Sequence, residues 1–94
     1  MELEQLRIFL AVAEYGGFTE AAKHLFVSHS TTSRAVSALE RELETPLFRR
    51  QGRSVALTPA GEVLRDRAQA LLKQADAAAE AVRSAGRSAN RSNP

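Results

Sequence analysis

The chain has no cysteine and no tryptophan, only five aromatic residues (four Phe and one Tyr) and three prolines in 94 residues. Without thiols, disulfide cross-links and thiolate chemistry are excluded. With so few aromatics there is no stacking platform of the kind used to hold unpaired RNA bases. No apolar run approaches the roughly 20 residues that a membrane-spanning helix needs. No basic-then-apolar leader opens the chain, which is therefore expected to be soluble and cytoplasmic. An excess of one charge is also nearly absent: 13 Lys and Arg against 11 Asp and Glu leave a net charge of +2, too little to argue for a nucleic-acid partner by itself. A chain this short forms one domain at most, with a modest core, so surface shared with a partner is expected.

What is present is strongly patterned. In the stretch from Val27 to Leu43, Thr32, Val36, Leu39 and Leu43 recur at helical spacing and form one stripe facing a core. Rotated away from it lie Ser30, Ser33, Arg34, Ser37 and Arg41, a face of small hydroxyls and guanidinium groups. Such a face approaches another surface closely. Small polar residues at the entry, with an arginine one turn in, suit a helix end that enters a DNA major groove. Arg34 has Ser30, Thr31, Ser37 and Ala38 three and four residues away, so no helical ion pair accounts for it.

The flanking segments complete the pattern. Leu3 to Tyr15 is predicted as a supporting helix ended by Gly16-Gly17, followed by a short helix from Glu20 to Leu25 with Thr19 as its N-cap. Ala21 and Ala22 are small where two helices would cross. A brief connection leads to the long helix, with Ser28 as its cap, and short helix, turn, long helix is the helix-turn-helix arrangement. That helix is expected to stop before Pro46. Thr45 to Thr58 carries Arg49, Arg50 and Arg53 and no acid. Its glycine-containing turn between short extended pieces predicts a two-stranded wing with Arg53 near the tip. Arg50 is a candidate structural partner of Glu40.

Thr58-Pro59 marks a further helix start, and Gly61 a close backbone approach. That helix is expected to run to about Ser84, with Gly86 as its stop and residues 85–94 as a flexible tail or hinge. Leu64, Ala68, Leu71, Ala75, Ala78 and Val82 step alternately by four and three, the seam of a coiled coil, which predicts pairing with a second copy of the chain. The expected organisation is residues 1–58 as a winged helix-turn-helix, 59–84 as a dimerisation helix and 85–94 as tail. The fold class is mainly α.

Enzymatic readings are weak. His24 and His29 are five apart, off one helical face and without cysteine or aspartate nearby, so neither a zinc site nor a catalytic residue is expected. Ser28, His29 and Ser30 are chain neighbours and lack the geometry of a hydrolytic triad. Thr19 and Ser28, at the starts of the second and third helices, are instead candidates for phosphate contact.

With these residues in view, the first sixty or so positions resemble the DNA-binding domain of the LysR-type transcriptional regulators. The resemblance rests on Leu6 and Phe9, on Phe18-Thr19 with Ala21-Ala22 and Leu25, and on Ser28, Ser33-Arg34, Val36 and Leu39-Glu40. It continues through Pro46-Leu47-Phe48, Arg50, Gly52-Arg53 and Leu57-Thr58-Pro59-Ala60-Gly61. It implies a winged helix-turn-helix, an antiparallel dimer through the last helix, and DNA contacts at His29, Ser30, Thr31, Ser33 and Arg34 in the major groove and at Arg53 in the minor groove. The implied partners are double-stranded DNA and a second copy, with tetramers in a full-length protein and no membrane. No cofactor is implied for this chain, and a small-molecule effector only for a full-length member, whose sensing domain would follow an isolated domain such as this; a natural short protein is the alternative. The implied location is the cytoplasm, on the bacterial nucleoid when bound. Departures from the family pattern are His29 where glutamine is usual, Thr31 and Thr32 for proline or alanine and an aliphatic residue, Gly17 for serine and Glu44 for glycine. The competing reading is a winged module that docks a protein partner.

Overall fold

A computed structural model describes residues 1–92. In chain order it has α1 (Leu3–Tyr15), α2 (Phe18–Leu25), α3 (His29–Leu43), β1 (Phe48–Gln51), β2 (Ser54–Leu57) and α4 (Pro59–Ser92). The two strands form an antiparallel ribbon with Phe48 opposite Leu57 and Gln51 opposite Ser54. The mainly α winged architecture matches the sequence expectation.

Helix α1 is the centre of the body. Leu6 and Phe9 pack with Leu39, Leu47, Leu64 and Ala68, while Ala11 and Val12 pack with Phe18, Ala21 and Val36. Phe48, at the start of the wing, packs against both groups. Ala21 is fully buried and Ala22 nearly so, and the absence of longer side chains there lets α2 sit close against its neighbours. The predicted stripe of α3 is largely inward: Thr32, Val36 and Leu39 are buried, but Leu43, in the last turn, is 38% exposed. The buried hydroxyl of Thr32 is satisfied locally, donating to the Ser28 carbonyl at 3.1 Å.

The helix boundaries correct three expectations. The N-cap of α2 is Gly17, with extended backbone, and not Thr19. Burying Phe18 against the core brings that residue into the helix, so the helix begins earlier and Thr19 is left exposed in its first turn. Helix α4 does not stop near Ser84 but runs to Ser92, so the expected tail from Ala85 is helical as far as it is described, and residues 93–94 lie outside the described residues. Gly86 does not have the positive φ of a terminating glycine. An interior glycine costs a helix only about 1 kcal/mol relative to alanine, and Glu80 pairs with Arg83 at 3.4 Å and with Arg87 at 2.8 Å across this stretch. Third, the seam on α4 is divided. Leu64 and Ala68 are buried in the subunit's own core, whereas Leu71 is 43% and Val82 72% exposed. About the first five turns of α4 run along the body, as far as Asp76, which pairs with Arg7 of α1 at 3.8 Å, and the later ones extend past it.

Helices α2 and α3 end in the same way, on a non-glycine residue in the left-handed region: Phe26 at φ 56° and Glu44 at φ 54°. In each, the following amide reaches back five residues, Val27 to Ala22 at 3.1 Å and Thr45 to Glu40 at 3.1 Å, the Schellman closure that normally favours glycine. Glu44→Gly should therefore stabilise the domain by about 0.5–1 kcal/mol. A urea midpoint that does not rise would show that Glu44 carries no strain.

Candidate nucleic-acid interface

The entry of α3 is built by its cap. The Ser28 hydroxyl oxygen accepts from the Thr31 amide at 3.0 Å and donates to the Thr31 hydroxyl at 2.9 Å, which fixes the first turn. His29 and Ser30 lead that turn and are exposed, Thr31 and Ser33 are half-buried, and Arg34 is exposed. Among the described residues no acid pairs with Arg34. The hydroxyl-and-guanidinium side of α3 is thus presented outward by the burial of the opposite stripe.

The wing is tied to the body at both ends. The Val55 amide donates to the Gly16 carbonyl at 2.9 Å and the Thr58 amide to the Leu47 carbonyl at 3.0 Å. Gly52 takes φ 64° at the first central position of the turn, where a type II′ hairpin calls for glycine. Arg53 follows it, exposed at the tip as the sequence predicts.

Between the entry of α3 and the wing lies an open cleft of about 770 Å³. It brings together three of the sequence-predicted site residues, Thr19, His29 and Arg53, with Lys23 and Arg50. Ser28, Ser30, Thr31, Ser33 and Arg34 do not line it and belong to the adjoining α3 face. Phe18 and His29 line it with their rings 6.1 Å apart, and behind the cleft Phe18 meets Phe48 edge-on at 6.1 Å, with Phe48 packed on Phe9 at 5.2 Å. The Arg50 guanidinium sits over Phe18, 5.0 Å from the ring centre. This overturns the expected pairing of Arg50 with Glu40. Glu40 is occupied elsewhere, accepting the Leu47 amide at 2.7 Å. The two-residue alternation of a strand places Arg50 on the same side as Phe48, toward the body; that signal was available in the sequence. Among the described residues no group of three or more metal-ligating side chains gathers, and no helix is long and apolar enough to cross a membrane.

A three-helix body that exposes the polar side of its third helix beside a two-stranded wing defines a winged helix-turn-helix domain. The model for the lysR family of bacterial regulatory helix-turn-helix proteins matches residues 3–62. The chain belongs to that family. It is 47% identical over 90 residues to the HTH-type transcriptional regulator BudR of Klebsiella aerogenes, covering 96% of this chain and 63% of that protein. It is also 47% identical to the regulator TfdT of Cupriavidus pinatubonensis over 72 residues, 77% of this chain and 32% of that one. The chain thus spans less than two thirds of these relatives. Among solved structures, the CbnR DNA-binding domain in complex with DNA superposes with a TM-score of 0.88 at 38% identity, covering 92% of this chain and 99% of that one.

Proposed function

We propose that the chain is the DNA-binding part of a bacterial transcriptional regulator and binds double-stranded DNA sequence-specifically as a dimer. The observation that carries this reading is the outward face of α3, where Arg34 is exposed and without an acidic partner among the described residues, next to a wing whose tip is arginine. In this reading His29, Ser30, Thr31, Ser33 and Arg34 address the major groove. Thr19 and Ser28, at helix starts, contact phosphates, and Arg53 enters the narrow, negative minor groove. Support comes from the CbnR domain solved with DNA and from the likeness to a BenM DNA-binding domain complexed with benA site 1 DNA, at 37% identity and a TM-score of 0.84.

The dimer would form along the part of α4 that the subunit leaves uncovered. Leu71, Ala75, Ala78 and Val82 continue the seam beyond Leu64 and Ala68, and exposure of Leu71 and Val82 leaves apolar surface for a second copy. A dimer reads two half-sites with dyad symmetry, in successive major grooves on one face of the duplex.

Selection of fragments from a genomic DNA library tests the proposal, and it is expected to return dyad-symmetric sites bound with strong salt dependence, since phosphate contacts release counterions. Leu71→Arg should yield monomers in sedimentation and lose the preference for paired half-sites, because it places a charge in an apolar interface. Binding that ignores salt would favour the protein-docking alternative, and a sedimentation profile unchanged by Leu71→Arg would remove the α4 interface.

A further inference from the structure

Arg50 lies in the cleft between the two parts of this surface, and its surroundings differ from those of the other cations there. Lys23 is paired with Glu20 at 3.5 Å, the one carboxylate in the lining. No acid pairs with Arg50 among the described residues, and its guanidinium rests on Phe18 instead. A buried aromatic face holds a cation without neutralising it. Phe18 cannot move away, because it is 8% exposed and is braced through Phe48 onto Phe9 in the core. The neighbouring Arg49 points to the other side of the strand and has no such platform.

The position matters as much as the charge. His29 stands on the α3 side of the cleft and Arg53 on the wing side. In B-form DNA a major groove and the adjacent minor groove are separated by a single sugar-phosphate strand. If α3 occupies one and the wing tip the other, that strand crosses the cleft and passes over Arg50.

We propose that Arg50 is a phosphate-binding residue, pre-positioned by Phe18 to take the backbone strand that runs between the recognition helix and the wing. This rests on the groove-binding reading above. Its contribution is a charge contact that fixes the depth and tilt of the domain and carries no base preference. Thr19, exposed in the first turn of α2, lines the same cleft.

The test uses the 94-residue chain and a duplex recovered by the selection, with affinity measured across a salt series. Arg50→Met keeps an apolar side chain over Phe18 and removes the charge. The slope of log affinity against log salt should become shallower by about 0.9 per protomer, so that a dimer loses about twelvefold less affinity than the parent over a fourfold rise in salt. Base preference, read by repeating the selection, should not change. Arg50→Lys gives up the planar stack and keeps the charge, and should retain the parent's slope. A parental slope in Arg50→Met, or a slope in Arg50→Lys reduced as far as in Arg50→Met, overturns the proposal. The first outcome means that no phosphate is lost with the charge, and the second that only the stack matters. A parent that shows no salt-dependent binding fails the function reading itself, and this one with it; a salt-dependent parent whose slope Arg50→Met leaves intact fails this one alone.

Discussion

Gly61→Ala is expected to lower the folding stability by on the order of 3 kcal/mol or more, although the change adds one methyl group and improves helix propensity. A Cβ at this position would overlap the Leu47 carbonyl oxygen and lie 2.9 Å from Leu57 Cδ2 and 3.1 Å from the Leu47 carbonyl carbon. The Leu57 methyl is the end of a side chain, but the Leu47 backbone is not free to retreat. The Leu47 oxygen accepts the Thr58 amide at 3.0 Å, and the Leu47 amide donates to Glu40 at 2.7 Å. Its side chain is almost fully buried. The Thr58 hydroxyl adds two further ties, donating to the Pro46 carbonyl at 2.7 Å and accepting from the Gly61 amide at 3.0 Å. Separating α4 from this segment would break the α4 cap, the root of the wing and the end of α3 together. For a domain of this size the melting temperature should fall by at least roughly 12 °C. Gly86→Ala provides the control, since a Cβ there meets nothing within 4 Å and should be neutral or slightly stabilising. Equal melting temperatures for Gly61→Ala and the parent would mean that α4 does not pass this close to Leu47.

Arg34→Ala is expected to leave the fold intact and remove most of the sequence preference. Its side chain is exposed and makes no ion pair among the described residues, so stability should change by less than about 0.5 kcal/mol. Binding is different, because a guanidinium that meets a base edge with two hydrogen bonds contributes roughly 1–3 kcal/mol of discrimination. With one such contact in each half-site, a dimer should lose about twice that on its selected site. On a scrambled duplex the loss should be much smaller, because phosphate contacts carry most of the affinity there. Titration of both duplexes separates the two effects. An unchanged affinity for the selected site would remove Arg34 from the base-reading set, and an equal loss on both duplexes would make it a phosphate contact.

The two arginines show how far the residues alone could be read. Arg34 was legible because helical geometry is local: spacing from Thr32, Val36 and Leu39 decides which way it faces, and its neighbours three and four positions away are known from the sequence. For Arg50, strand alternation gives the side it faces but not the group it meets, since Phe18 is 32 residues away in the chain and only the folded structure commits Glu40 to the Leu47 amide. Thr19 illustrates a different limit. Threonine is a good cap, but burial of Phe18 outweighs a capping preference worth about 1 kcal/mol and brings the helix start forward. The spacing marks the seam of α4 as apolar, yet periodicity alone does not say that Leu64 and Ala68 cover α1 while Leu71 and Val82 remain exposed.

By itself the sequence determined the succession of elements, the inward stripe of α3, the cap at Ser28, the arginine at the wing tip and the start of α4 at Thr58-Pro59. Each depends on interactions within a few residues, and these are written in local spacing. The tertiary structure alone decided how those elements share surface. It seated Arg50 on Phe18, turned Glu40 to the Leu47 amide, brought Gly61 against the Leu47 carbonyl and divided α4 into a covered and an uncovered half. Such contacts join residues distant in the chain, and which of several chemically acceptable partners meet is set by the packing of the whole body.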